Sequence, residues 1–389
     1  MISIKLAFKN LFGAGLRTWL NSGVLSFSFV VIIFFYGIID GWNVQASRDT
    51  KEWEIGKGQL WQPKYDPLDI FTFQDAHSQL SATVQSMVND QQLTPILLVQ
   101  ASAYPQGNMV SLLLKGIDPN QKILKLPSGK LRAEGNEIPA IIGKRMANSL
   151  KIKEGESMLV RWRDKNGTFD AREVKIVSIF KCNVPTVDNG QIWIPLDKLQ
   201  QMLDLPNEAT FMVAGDKYNG SNLENWVFRD RNYLLKDINF VIKSKKGSTS
   251  VLCGLMLLIA LLAIFDTQVL SIFRRQREIG TYIALGMTRW QVVRIFTVEG
   301  TAYSIFAAVL AAIYGTPLMI YFNNHGYSMP KSTTDMNISI SDVIYPKFSI
   351  GLIISTIIIV ILSATIVSFL PARKIAKLKP TDALKGKIQ

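Results

Sequence analysis

The sequence predicts a membrane protein: four transmembrane helices with a large α+β extracytoplasmic domain between the first and second. Three observations lead there. The 389 residues are 48% hydrophobic and 19% charged, too apolar for an ordinary soluble domain and too charged to lie wholly in a bilayer. Four apolar runs stand out, at 24–39, 251–272, 296–322 and 348–370. A hydrocarbon core of ~30 Å needs about 20 helical residues, which all but the first run supply without their flanks. Between the first two runs lies a long stretch of mixed polarity, with enough residues for a core of its own.

Taken in order, residues 1–20 read as an interfacial helix on the cytoplasmic side. Ile4, Phe8, Leu11, Phe12, Leu16 and Trp19 recur at steps of three and four, with Lys5, Lys9 and Arg17 toward the polar side. The first span is 21–42. A basic leader, an apolar run and Val44-Gln45-Ala46 also fit a cleavable export signal, but so long and patterned a leader favours a retained anchor. Residues 43–247 form the extracytoplasmic domain. Strand-like runs at 158–162 and 173–180 flank Asp164-Lys165-Asn166-Gly167, whose Asn-Gly pair signals a hairpin. Further strands are expected at 109–114, 138–142 and 191–194, and helices at 72–88, 144–150 and 196–203. The second span is 248–273, followed by a basic amphipathic segment at 274–294, a third span at 295–322, an outer loop at 323–347, a fourth span at 348–370 and a tail at 371–389.

Basic residues orient the chain. Lys5, Lys9 and Arg17 precede the first span, Arg274, Arg275, Arg277, Arg289 and Arg294 separate the second from the third, and Arg373, Lys374, Lys377, Lys379, Lys385 and Lys387 follow the fourth. The positive-inside rule places those segments in the cytoplasm. The net charge of +13 therefore records topology, and nucleic acid is not an expected partner.

Nucleotide and catalytic motifs are missing. Gly143-Lys144 and Gly386-Lys387 lack the upstream glycine and following hydroxyl of a phosphate cradle. Neither a serine-hydrolase elbow nor a zinc-protease motif occurs. Cys182 and Cys253 fall in different segments, and His77 and His325 are scattered, so neither a disulfide nor a metal centre is expected. The chain reads as no enzyme, with no cofactor bound directly.

The segment at 273–294 is the most informative. With 273–284 helical, Ile279 and Ile283 share one face with Tyr282 near them, while Arg274, Arg277 and Glu278 reach polar partners at its rim. Gly286 ends the helix and lets 287–293 turn back into the third span. Such a helix can seat in a groove on a soluble ATPase, or lie on the inner leaflet anchored by its arginines. Elsewhere, Asp266 in the second span has a transport or a structural role. Phe27, Val31, Phe34 and Phe35 are candidates for a substrate or dimer face on the first two spans. Gly37, Gly41 and Gly254 are expected to permit close approach of a second copy. Pro317 is expected to kink the third span.

Arg274-Arg275-Gln276-Arg277-Glu278-Ile279-Gly280, then Ile283-Ala284-Leu285-Gly286-Met287 and Gln291-Val292, resembles the loop after the second span in ABC transporter permeases of the FtsX/MacB/LolC-LolE superfamily, the type VII mechanotransmission class. The ending Leu370-Pro371-Ala372-Arg373-Lys374-Ile375-Ala376, with Pro380-Thr381-Asp382-Ala383-Leu384, is similar to theirs, as are Ile141-Ile142-Gly143, Ala147 to Leu150, Gly155 and Ile192 to Leu199 in the extracytoplasmic domain. The resemblance covers essentially the whole chain. Asp266 is not part of the pattern.

The resemblance implies a permease subunit in the bacterial inner membrane that dimerises with a same or homologous permease and works with two cytoplasmic ATPase subunits, which hold the ATP-Mg. It implies an ATPase-docking coupling helix built on Arg274, Arg275, Arg277, Glu278, Ile279, Gly280, Ile283, Leu285 and Gly286, with Pro371, Arg373 and Lys374 on the same side. The architecture resembles LolC/LolE most, which implies release of lipoproteins from the inner membrane for outer-membrane sorting. MacB-like export of a peptide, toxin or drug, and an FtsX-like switch of an external partner, are the alternatives.

Overall fold

The computed structural model describes residues 16–132, 137–328 and 343–374. Most of the expected interfacial helix at 1–20, the tail beyond Lys374 and residues 329–342 of the outer loop lie outside them. The chain forms two compact units: a helical one that includes Ile242–Tyr327, and a β-rich one over Asn43–Val241.

Among the described residues, nine strands make the main sheet of the β unit: β1 (Gly58–Trp61), β2 (Leu93–Tyr104), β3 (Val110–Ile117), β4 (Ile138–Gly143), β5 (Ser157–Arg163), β6 (Phe169–Phe180), β7 (Gln191–Pro195), β8 (Phe211–Ala214) and β9 (Val227–Asp230). They are ordered β9-β1-β8-β2-β3-β7-β4-β6-β5, and β5 also pairs with β2, closing the last six into a barrel. β2 holds the arrangement together. Its first residues, Leu93–Ile96, pair with β8, and its last, Ala101–Tyr104, pair with β5, while β3 runs antiparallel along its other side.

Alternation along β2 divides the interior. Leu97, Val99, Ala101 and Ala103 enter the barrel core with Val160, Trp162, Ile176 and Ile192, whereas Ile96 and Leu98 join a second cluster with Phe180, Trp193 and Phe211. Two short helices, α3 (Lys144–Leu150) and α4 (Leu196–Leu203), contribute Met146, Leu150, Leu199 and Leu203 to the barrel core. The Trp162 indole N–H donates to the Met202 carbonyl at 3.0 Å. Cys182 is buried and free, and burial pushes its thiol up to about 12.

The expected strands at 109–114, 138–142, 158–162, 173–180 and 191–194 are all present. The hairpin is too: β5 and β6 pair from Ser157↔Lys175 to Arg163↔Phe169. Asp164 Oδ1 accepts from the amides of Asn166 and Thr168 at 2.9 and 2.8 Å, and Gly167 takes φ +86°. The expected helix at 72–88 holds only from Ala82 onward. That stretch is a 3₁₀ turn at Ile70–Gln74, a two-residue strand at Ser78–Gln79 and helix α2 (Ala82–Asn89). Pairing with Glu208–Ala209 draws its middle into extended chain, and the Ser81 hydroxyl caps the Val84 amide to start a new helix.

Among the described residues, four helices are long and apolar enough to cross a membrane: α1 (Leu16–Thr50), α5 (Lys236–Arg274), α7 (Arg289–His325) and α8 (Ile350–Ala372). The first three extend beyond the apolar runs on both sides, and α7 continues unbroken through Pro317. Leu25, Phe29 and Val30 of α1 meet Ala260 and Ile264 of α5, Ala307 and Ala311 of α7, and Val360 and Ala364 of α8 in one core. Its alanines let the helices approach closely, as lipid-embedded packing requires. Polar side chains tie the bundle: Asn21 Nδ2 donates to Thr267 Oγ1 at 2.6 Å, and the Thr301 and Thr365 hydroxyls lie 3.0 Å apart.

Candidate functional site: the elbow between the second and third long helices

α5 ends at Arg274, Arg275 leaves helical geometry (φ −103°, ψ 23°), and a separate helix, α6 (Gln276–Ala284), follows. The single helix expected over 273–284 is thus two helices with a break at Arg275. Past α6, Gly286 adopts φ +94°, a conformation that suits glycine. α7 then begins with a capping box: the Thr288 hydroxyl accepts from the Gln291 amide at 3.3 Å, and the Gln291 side chain accepts from the Thr288 amide at 2.7 Å. The return into α7 therefore starts at Arg289, ahead of the expected third span.

The guanidinium of Arg275 explains the break. Its Nε donates to Glu278 at 2.7 Å and its Nη1 to Glu299 at 2.9 Å, and it lies 4.9 Å from the centre of the Phe296 ring. Glu299 is buried on α7. Burial works against the charge on Arg275, yet Glu278 and Glu299 outweigh it, so its pKa is raised. Glu299 is the residue that sequence reasoning missed. An acidic side chain inside an otherwise apolar run was the available signal.

Ile279 corrects the expected docking face. It is fully buried among Ile272, Val292, Val293, Phe296 and Ala372, with Tyr282 and Ile283 partly buried beside it. The apolar stripe of α6 packs on its own bundle, because a nine-residue helix this close to α5, α7 and α8 buries more surface there than a free face could retain. Gly280 is buried with it. What faces outward is a mixed surface: Arg274, Arg277, Glu278, Arg289 and Arg294 with Leu285, Gly286 and Trp290. Trp290 stacks on Phe369 of α8 at 6.4 Å. At the end of α8, Pro371 is buried while Arg373 and Lys374 are exposed.

The other candidates do not converge. Phe27, Phe35 and Asp266 are exposed on α1 and α5, and Val31 is half-buried. Phe34 belongs to an internal aromatic group with Phe322 (4.9 Å) and Tyr327 (6.3 Å). Gly37 and Gly41, expected to face a second copy, are occupied within the chain, by the Phe348 ring and the Tyr345–Pro346 backbone. Gly254 has open space before it.

A bundle of apolar helices, with a short amphipathic helix pinned between the second and third, is the frame of a membrane protein. Residues 250–380, which contain the elbow, match the family model for the FtsX-like permease C-terminal domain. That match covers about a third of the chain, and relatives of the chain are named as permeases of the LolC and MacB kind. The chain is 21% identical over 320 residues to the lipoprotein-releasing system transmembrane protein LolC of Xylella fastidiosa, a match covering 74% of this chain and 76% of that one. It is 21% identical over 301 residues to the ABC transporter permease YknZ of Bacillus subtilis, covering 68% and 67%. The macrolide export ATP-binding/permease protein MacB of Neisseria meningitidis is 24% identical over 151 residues, 38% of this chain and 21% of that one.

Proposed function

We propose that this chain is the four-span, inner-membrane subunit of an ATP-driven transporter, with the elbow in the cytoplasm and the β unit outside. Two separate ATPase subunits bind and hydrolyse ATP-Mg, and this chain hydrolyses none. A second permease, the same or homologous, completes the dimer. The elbow carries the reading. Arg275 and Ile279 fix α6 to its own bundle, while Arg274, Arg277, Leu285 and Trp290 are left exposed. A pinned helix with a free, basic outer surface passes a push from a docked subunit into α5 and α7 as a rigid body. Arg274→Glu with Arg277→Glu tests it: the ATPase is lost from the purified complex. Retention of a stimulated ATPase by that variant would sink the reading.

For the substrate, we propose release of lipoproteins from the inner membrane for sorting to the outer membrane. The LolC relatives support this, because the match to them runs along about three-quarters of both chains, against 21% of the MacB relative. The MacB relatives favour a second reading, export of a peptide, toxin or drug. An FtsX-like switch of an external partner is a third. Depletion of the protein followed by membrane fractionation separates them. Lipoproteins stranded in the inner membrane support release, and normal sorting refutes it.

A further inference from the structure

The β unit has a groove that the transport reading does not use. Where β2 and β5 close the barrel, Ser102 pairs with Arg161 and Ala101 with Trp162. Trp162 and Ala101 turn into the core, whereas Arg161, Arg163, Gln100, Ser102 and Tyr104 line the outer wall. The 3₁₀ turn Ile70–Gln74 contributes Ile70, Phe71, Phe73 and Gln74 to the same cavity, which has a volume of about 350 Å³. Its rim is apolar and open to solvent: Phe71 is 84% exposed, Met109 67% and Phe169 60%. An apolar patch of that kind on a water-facing surface marks a binding site.

Charge specifies the ligand. Among the described residues, two guanidiniums line the groove and no carboxylate does. Arg161 stacks over the Phe169 ring at 4.2 Å. Among the described residues, Arg163 donates to neutral acceptors, the Gly167 carbonyl at 3.2 Å and the Gln74 amide oxygen at 3.3 Å. Both keep charge to spare for an anion. Shape narrows the choice further. The cavity of about 350 Å³ is large enough to take one medium-length acyl chain. An extended peptide cannot join by strand addition, because β2 pairs with both β3 and β5 here, and β5 with both β2 and β6.

We infer that this groove binds a single-chain anionic amphiphile, a fatty-acyl carboxylate whose chain lies along Ile70, Phe71, Met109 and Phe169 and whose head meets Arg161 and Arg163. The inference goes beyond the proposed function by giving the β unit a ligand of its own, and does not depend on that reading. Binding needs neither ATP nor an ATPase.

The test uses the full chain in phosphatidylcholine nanodiscs with a diazirine-bearing dodecanoate, followed by mass-spectrometric mapping of the adducts. Adducts are expected on peptides containing Phe71, Met109 or Phe169, displaced by dodecanoate and not by dodecyltrimethylammonium. Arg161→Glu with Arg163→Glu should cut groove labelling about tenfold or more without changing labelling of the long helices or the unfolding temperature. Should that variant unfold, Arg161→Gln with Arg163→Gln serves, with the same expectation of reduced groove labelling. Adducts confined to the long helices would overturn the inference. So would labelling that ignores both charge changes, or protection of the groove by an acidic amphipathic peptide but not by dodecanoate. Groove labelling in a protein that fails the sorting test leaves the inference standing and removes only the transport reading.

Discussion

Each unit buries a charge, and they do it by opposite means. In the β unit, Lys115 is buried with its ammonium 5.1 Å from the Trp193 ring centre and 5.8 Å from that of Phe211. Burial pushes its pKa down, and the field of Glu54 only partly opposes this. In the helical unit, Glu299 is buried against the Arg275 guanidinium at 2.9 Å. A domain folded in water can hold a lone amine beside aromatic faces, because the amine has the option of releasing its proton to solvent. A bundle in hydrocarbon keeps its ionised side chain by pairing it. The elbow is where that pairing sits, and it ties the start of α6 to α7.

Breaking the pair should therefore have the largest effect. Glu299→Ala leaves Arg275 without its buried partner and should destabilise the chain by about 3–5 kcal/mol, read as a lower unfolding temperature in nanodiscs. Replacing both partners, Arg275→Met with Glu299→Leu, should recover most of the loss. A cost below about 1 kcal/mol for the single change would mean that water reaches the pair. Next comes Ile279→Ala, at about 3 kcal/mol, since it empties a fully packed site among five buried neighbours. The same change on a free docking face would cost almost nothing, so this measurement decides whether the apolar stripe of α6 faces inward.

How much of this was legible differs between the two regions. The four long apolar runs and the Asn166-Gly167 turn carry their meaning locally, through length and through backbone preference, and they form long helices and a hairpin as expected. β2 was missed because it is buried on both faces over its first half: Pro95-Ile96-Leu97-Leu98-Val99 shows no alternation to read. Barrel closure depends on the pairing of residues such as Ser102 and Arg161, far apart in the chain, and no local pattern encodes it. At the elbow, basic and apolar residues were evident, but which of them face inward was not. Arg274, Arg275 and Arg277 look alike in sequence. Only Arg275 turns toward Glu299, a partner supplied by the next helix.

Two glycines sharpen the contrast within the bundle. A Cβ added at Gly300 would meet the Ser368 side chain and lie 3.0 Å from the Gln268 amide nitrogen, whereas one at Gly254 meets nothing within 4 Å. Gly300→Ala should cost about 1–3 kcal/mol by forcing α7 from α8. Gly254→Ala should leave the folding of the single chain unchanged. Loss of dimer in the Gly254 variant alone would place a second copy on that face of α5.

In the β unit the sign reverses. Lys115→Met removes an amine that burial holds below its ordinary value near 10.5, and should stabilise the chain by about 1 kcal/mol near neutral pH. The unfolded state binds the proton more tightly than the folded one, so wild-type stability rises with pH until the unfolded-state value is passed. The variant should lack that rise. Thermal unfolding of the two proteins from about pH 7 to about pH 10 checks both effects, and a parallel slope in both would assign the pH dependence to other groups.

The smallest effect on folding is expected on the outer face of the elbow. Arg274 and Arg277 are exposed, and exposed charges change stability by no more than about 0.5 kcal/mol. Arg274→Glu with Arg277→Glu should therefore unfold at the wild-type temperature while losing the ATPase, whereas Ile279→Ala should lose both together. The separation matters because a destabilised elbow and an unrecognised elbow give the same inactive transporter. If the charge-reversed protein instead unfolds early, those arginines serve the bundle as Arg275 does, and the docking surface must lie at Leu285 and Trp290.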